Sequence, residues 1–441
     1  MQQFLIAAGL GLTLGPAPDT TWVARSVLYE VFVQDFSPAG TLRGVMDGLD
    51  RIQSVGANVV WLMPIHPIGV VGRKGSLGSP YAAKDYRAIN PAYGTPEDFR
   101  ALVKAVHARN MKLILDWVPD HTSPDHPWIK EHPDYYVRNE RGEPSVPRDA
   151  EGKLTDWTDV VQLDYGNPKV RQEMIATMAW WLTEFGIDGF RVDVAGFLPN
   201  AFWREAVPAV RAAVPRPILL LAEWDDLELH RIGFDLTYGW DSYKRLKAVW
   251  QGKPAFTFID GELQDMEAMP RGGMRMRFTT NHDETAWDAP PVKIFRGSAG
   301  ARAAFTAVAL LPGRPLIYNG QEVESPQQLG LFEAQPVAWN QRDGAAATAF
   351  YRRVLDLAST DPAFVSGDFG EVKTSAPRDV IAYRRGNSVV LVNARPKAVR
   401  VTVKDVAVDG ARDLLSDRTQ RGEAVSLSGY GAMVLRTTAA R

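Results

Sequence analysis

Between residue 27 and about residue 322, short runs of consecutive apolar, β-prone residues alternate with longer stretches in which apolar positions recur every three or four residues. The first pattern suits strands covered on both faces and the second suits amphipathic helices, so the chain reads as repeated βα units around a parallel sheet. Eight strands are predicted in order, at 27–36, 57–63, 112–118, 189–194, 218–224, 234–238, 276–281 and 315–319. Eight near-continuous apolar strands fit a closed (β/α)8 TIM barrel of about 250 residues plus insertions better than an open, doubly wound sheet.

The helical stretches carry their own punctuation. Thr95 can cap, Pro96 stands at the first helical position and Asp98 falls in the first turn, while Phe99, Leu102, Val103 and Val106 make one apolar stripe that Asn110 ends. Residues 121–166 break the rhythm with Pro, Asp, Trp and Tyr, too many for a plain βα loop, and read as a short subdomain inserted after the third strand. After Phe364 the period shortens to alternation broken by turn residues, which predicts a C-terminal antiparallel β-sandwich over 363–441 after a barrel domain over 21–362.

Composition narrows the function without naming it. A chain of 441 residues with 45% hydrophobic and 23% charged content is an ordinary globular protein, and a net charge of -2 supplies no field for nucleic acid or anionic lipid. Thirteen Trp, 13 Tyr and 18 Phe leave rings to spare for the apolar faces of sugars. The absence of cysteine removes disulfides, thiolate nucleophiles and Cys-ligated metal sites. At the N-terminus, residues 4–14 form an apolar run of signal-peptide length, too short to span a bilayer, and Gly15, Pro16 and Ala17 suit a cleavage site. No Lys or Arg precedes Arg25. Residues 1–20 are therefore expected to be a signal peptide of a secreted or periplasmic protein, the alternative being an N-terminal extension of a cytoplasmic one.

In a barrel of this kind the reacting groups come from the C-terminal ends of strands, where the loops converge over one cavity. Asp116 ends the third predicted strand, Arg191 and Asp193 the fourth, and Glu223 the fifth, while His282 and Asp283 follow the seventh. One carboxylate at a strand end is ordinarily a loop cap or half of an ion pair. Several aimed at one mouth, without Cys or a Ser-His-Asp pattern, point to carboxylate chemistry, and glycoside hydrolysis is the reaction class that most directly needs it. A His-carboxylate metal site is the competing reading, but no HExxH or similar spacing is present.

At these residues the sequence resembles the α-amylase family, glycoside hydrolase family 13. The likeness runs from Val27 onward through four separated motifs: DWVPDH from Asp116, GFRVD from Gly189, Glu223 after its apolar strand, and FTTNHD from Phe278. Residues 79–99 and 161–171 are similar to flanking segments of the family. The resemblance implies that Asp193 is the nucleophile, Glu223 the general acid and base, and Asp283 the stabiliser of the distorted sugar. It further implies that Arg191 holds Asp193 ionised, that Asp116 braces Arg191, that His121 and His282 hydrogen-bond the ring, and that Tyr81 stacks on it. The implied partner is an α-glucan or malto-oligosaccharide, cut with retention of configuration; nucleic acid and membrane insertion are not expected.

Departures from the family pattern bear on details. Asp120 stands where calcium-binding members usually carry Asn; it keeps an oxygen donor for a structural Ca2+, as do Asp125 and Asp134, although no loop has EF-hand spacing and no metal ligand is assigned. No cofactor is required. Gly196 and Phe197 replace a Lys-His pair, which makes the leaving-group side less polar, and Val194 is as similar to α-1,6-acting as to α-1,4-acting relatives. Trp224 and Trp240 are candidate sugar platforms, and His66 with the loop 69–78 is expected to shape the non-reducing side. Alternatives to a starch or maltodextrin hydrolase are an oligosaccharide α-glucosidase, a cyclomaltodextrinase and a transglycosylase. The distant one is a carbohydrate-binding barrel without catalysis.

Overall fold

The computed structural model describes residues 22–437, so the apolar run at 4–14 lies outside the described residues. Eight parallel strands close on themselves in sequence order: β1 Leu28–Val31, β2 Val59–Leu62, β3 Lys112–Trp117, β4 Gly189–Val192, β5 Leu219–Ala222, β6 Leu236–Tyr238, β7 Met274–Arg277 and β8 Arg314–Tyr318. Leu28 pairs with Leu316 on one side and Val59 on the other, which completes the ring. The strands are buried throughout except at the edge positions Lys112 and Met274, because helices cover their outer faces.

All eight strands differ from the expected spans by a residue or more, and two differ most. The run 27–36 stops as strand at Val31: the Phe32 amide donates to the Asn319 side chain at 2.8 Å instead of continuing a ladder, and Val33–Phe36 turns as a short helix. The run 276–281 begins two residues earlier, at Met274, and ends at Arg277. Arg275 and Arg277 interrupt the apolar pattern because they reach acidic partners on the helix Phe256–Ala268. Beyond them Asn281 leaves the sheet to cap the helix His282–Trp287, accepting from the Glu284 amide at 2.8 Å.

The helix Pro96–Ala108 shows how local chemistry sets an element. Thr95 accepts from the Asp98 amide at 3.2 Å while Asp98 accepts from the Thr95 amide at 3.0 Å, a reciprocal cap. Phe99, Leu102, Val103 and Val106 are its buried face, and Asn110, at φ +56°, turns the chain after it. Between β3 and the helix Pro168–Glu184 lies the insertion, held at its base by antiparallel pairing of His121–Thr122 with Val161–Gln162.

The C-terminal strands are β9 Phe369–Glu371, β10 Val380–Arg385, β11 Ser388–Asn393, β12 Val399–Thr402, β13 Arg412–Asp413, β14 Ala424–Leu427 and β15 Ala432–Arg436. They form an antiparallel sheet in the order β9-β10-β11-β15-β13 and a pair β12-β14. Alternation divides β10 between two cores: Val380 and Ala382 pack with Val401 and Val425 inside the sandwich, while Ile381 and Tyr383 join the barrel core. Each such buried aliphatic side chain contributes about 1.5–3 kcal/mol. The Tyr383 hydroxyl donates to the Ala307 carbonyl at 3.0 Å, tying the sheet to the helix Ser298–Ala309. No helix of the described residues is long and apolar enough to cross a membrane.

Candidate active site

The C-terminal strand ends surround a cavity of about 210 Å³ whose lining includes Tyr81, His121, Asp193, Glu223, His282 and Asp283. Its floor is organised by Arg191, which points inward from β4 and is fully buried. One terminal nitrogen, Nη1, donates to Asp193 at 2.7 Å and to Asp116 at 2.8 Å, and Nε donates to the Tyr238 hydroxyl at 3.1 Å. The other, Nη2, lies 2.7 Å from Glu223 Oε1 but off the N–H direction, an ion-pair contact without an aligned hydrogen bond. Three carboxyls therefore share a single guanidinium.

That ratio governs their ionisation. Burial pushes the Asp193 carboxyl up against the pull of Arg191, with Glu223 and Asp116 adding to the rise. Burial likewise lifts Glu223, Arg191 opposing and Asp283 adding. Groups this close titrate as a unit, so the cluster keeps a proton that isolated carboxyls would lose. Asp116 has both oxygens engaged, the second accepting from Trp61 Nε1 at 3.1 Å and from the Tyr81 hydroxyl at 3.2 Å, which suits a brace and leaves no oxygen for a reaction.

Across the cavity His282 links three acidic or hydroxylic groups. Its Nδ1 faces Glu30 at 2.5 Å, and its Nε2 lies 2.7 Å from the Tyr81 hydroxyl and 3.3 Å from Asp283. Burial disfavours an imidazolium there, but Asp283 and Glu30 outweigh it and raise the pKa well above the usual histidine range. The converse holds for Asp283: burial acts to raise it, yet His282 brings it below the ordinary carboxylate value. Tyr81 stacks on the His282 ring with centroids 5.4 Å apart, and His121 fixes its Nδ1 on Asp120 at 3.1 Å. His121 is thereby oriented with Nε2 left for a ligand in the cavity it lines.

Val194 follows Asp193 in a left-handed conformation, φ +37° and ψ +45°, which a β-branched residue rarely adopts. The conformation aims its amide at Glu223 Oε2, 2.7 Å away. Strain of order 1–3 kcal/mol at such a position persists where the surroundings over-determine it.

Several residues read from the sequence sit elsewhere. Trp224 packs against Phe197 and Gly196, where a Cβ would fall 2.2 Å from the indole, and does not line the cavity. Trp240 packs on Tyr238 and Phe278. His66 is fully buried, donor or acceptor to the Ala88 carbonyl at 3.1 Å and edge-on to Trp117 and Trp181, so it supports the core and not the cleft. The rings that do line the cavity are Tyr81, Trp157, Trp287 and Phe332, three of them on loops without periodicity. Glu30 was the other omission, and its signal was a charge inside the apolar run of the first strand.

The candidate calcium donors are otherwise engaged. Asp120 serves His121 and, at 3.4 Å, Gln162; Asp125 lies 3.0 Å from Lys84; and Asp134 accepts from Asn167 at 3.2 Å. Among the described residues no group of three or more His, Cys, Asp or Glu comes together to hold a metal. These three side chains by themselves do not make up the shell of about six to eight oxygens that calcium takes.

Comparison with known proteins agrees with this geometry. Residues 28–226 match the family model for the alpha amylase catalytic domain. The structure of an alpha-amylase from Lactobacillus plantarum is 31% identical and superposes with a TM-score of 0.82, over 94% of this chain and 99% of that one. A trehalose synthase/amylase of Mycobacterium tuberculosis is 34% identical over 82% of this chain and 73% of its own length. Alpha-amylase 3 of Dictyoglomus thermophilum is 29% identical over 68% of this chain, a stretch that spans 64% of the relative. With the barrel, the strand-end carboxylates and these likenesses together, the chain belongs to the α-amylase family.

Proposed function

We propose that the chain is a retaining glycoside hydrolase that cleaves α-glucosidic bonds, mainly α-1,4, in starch, maltodextrins or related α-glucans. The observation that carries this reading is the sharing of one buried guanidinium by Asp193 and Glu223 at the wall of a cavity. Two carboxyls held against one planar group favour the separation of about 5–5.5 Å used by retaining enzymes over the wider gap of inverting ones.

The roles follow from the bonding. We assign the anion to Asp193, which receives the aligned bond from Arg191, and the proton shared by the cluster to Glu223, although burial lifts the Asp193 carboxyl as well. Asp193 attacks the anomeric carbon as the glycosidic C–O bond breaks, and the Glu223 proton passes to the leaving oxygen. Glu223, now a carboxylate, takes a proton from water; the oxygen of that water attacks the same carbon and releases Asp193, with two inversions giving net retention. Asp283, kept ionised by His282, faces the positive charge that develops on the ring. Tyr81 supplies the stacking face and His121 a hydrogen bond.

The test is Glu223→Gln on purified protein with maltoheptaose, reading turnover and the anomer first released. Loss of turnover with retained substrate binding, and an α-anomer from the unaltered protein, are expected; near-normal turnover in the variant or a β-anomer product overturns the reading. A transglycosylase would share the same intermediate and differ in the acceptor, which product length over time distinguishes.

A further inference from the structure

The cavity is lined unevenly. Glu223 ends β5, and the strand opposite β5 in the ring of eight is β1. The loops that follow β8 and β2, the two neighbours of β1, touch one another on that side of the cavity, and the insertion that follows β3 joins them. Lys74, on the loop after β2, lies 3.1 Å from Asp159 of the insertion and 6.0 Å from the ring centre of Phe332, on the loop after β8. The Asp159 side chain is only 5% exposed, so its partner matters. On the same loop the Ser76 amide donates to Glu333 at 2.7 Å, the Ser76 hydroxyl bonds the other oxygen of that carboxylate, and the Leu77 amide donates to the Phe332 carbonyl at 3.0 Å.

Two glycines allow the contact. Gly75, at φ +59°, lies where a Cβ would fall 2.6 Å from Phe332 Cβ, and Gly72, at φ +71°, where a Cβ would fall 2.8 Å from the Thr158 carbonyl oxygen. Backbone meets backbone on both sides of the loop, and both glycines adopt a conformation that other residues avoid. The loop after β2 is thus fastened to both neighbours as a strap.

Glu223 gives its proton to the leaving oxygen, so the departing chain lies on the β5 side, and the strap closes the opposite side, where the non-reducing part of a substrate would run. Resting on the function proposed above, we propose that this strap makes the site a blind pocket: an α-glucan enters end first, its terminal non-reducing glucosyl unit fills the cavity, and the enzyme acts from chain ends. Lys74 and Asp159 are then the donor and acceptor at the blind end for the terminal hydroxyls. The cavity volume of about 210 Å³ is below the roughly 300–1,000 Å³ of sites for larger ligands and suits one ring better than a continuing chain.

Two maltoheptaosides test this, one with a free non-reducing end and one whose terminal O4 and O6 are tied in a cyclic acetal. The protein is expected to release glucose first from the free sugar and to cleave the blocked one at least about 100-fold more slowly, a steric rejection by the pocket wall. Lys74→Ala combined with Glu333→Ala, which removes both side-chain fastenings, is expected to raise the blocked-to-free ratio about tenfold or more. Cleavage of the blocked sugar within about twofold of the free one by the unaltered protein, lost in Glu223→Gln, overturns the pocket and leaves the functional reading standing. Turnover of neither sugar overturns both. The comparison on the unaltered protein decides even where the double variant does not fold.

Discussion

Two buried clusters of charge lie on the same barrel and are put to opposite uses. At the mouth, one guanidinium, Arg191, faces Asp116, Asp193 and Glu223. On the flank, three guanidiniums face two carboxyls: Arg277 and Arg245 hold Glu262 at 2.7 and 2.9 Å, and Arg275 holds Asp265 at 2.7 Å. Burial is common to both, but the ratio of charges is reversed. In the first cluster burial prevails and the carboxyl pKa values of Asp193 and Glu223 rise, which retains the proton that the proposed reaction would donate. In the second, burial of Asp265 is outweighed by Arg275 and its neighbours, and the carboxyl falls below its usual value. A buried carboxylate becomes chemically useful where its positive partners are too few, and structural where they suffice.

The comparison can be broken at either end. Glu223→Gln should lower kcat by about 10²- to 10⁴-fold, the usual contribution of a general acid, and should leave the thermal midpoint unchanged or raised, because it fixes as neutral a group that could otherwise add charge to an over-acidic site. A fall in the midpoint with little loss of turnover would reverse the assignment. Arg277→Met should behave the other way, costing up to about 3–5 kcal/mol in a urea titration by leaving the buried Glu262 with Arg245 alone, with kcat per folded molecule preserved.

A third class of buried carboxyl sharpens the rule. Asp35 and Glu322 have no ion-pair partner within 4 Å among the described residues; Asp35 accepts from the Gln335 amide at 2.8 Å and Glu322 from the Tyr29 hydroxyl at 2.6 Å. Burial raises each to about 7. Their folded pKa values lie above the unfolded ones, so the stability they contribute is fully present below about pH 4 and is lost as the pH rises through about 7, of order a few kcal/mol for each group. Urea midpoints between pH 4 and 8 should fall along that window in the unaltered protein and flatten in Asp35→Asn and Glu322→Gln.

Smaller effects concern geometry. Val194→Gly should relieve a strained left-handed residue and add about 1 kcal/mol of stability, while loosening the amide that aligns Glu223 and lowering kcat by about tenfold. Equal activity with added stability would show that the strain has no part in the reaction. Treatment with a chelator should move the thermal midpoint by less than about 1 °C if Asp120, Asp125 and Asp134 stay engaged by His121, Lys84 and Asn167.

Much of this was legible in the chain. The eight strands could be counted because each is a local apolar run between helices with their own caps, as at Thr95 and Asp98. Asp116, Arg191, Asp193, Glu223 and Asp283 could be picked out because a charge at the end of such a run is costly and must be matched. Glu30 obeyed the same rule on the first strand, two before that of Asp116, and was hidden by being charged in mid-run. Strand seven was displaced in the reading because Arg275 and Arg277 broke the apolar pattern in answer to Glu262 and Asp265, partners that only the packed helix supplies.

The sequence by itself determined the barrel, the order of its strands and the residue types at its mouth, since hydrophobic period and capping act within a few residues of the chain. Only the tertiary structure decided which aromatic rings face the cavity. Trp224, Trp240 and His66 turn into packing, while Trp157, Trp287 and Phe332 line the cavity. Tertiary structure also decided the strap, in which Lys74 meets Asp159 and Ser76 meets Glu333. These contacts join loops with no periodicity across long stretches of chain, and their partners exist only after the ring of strands has closed and set the loop ends side by side.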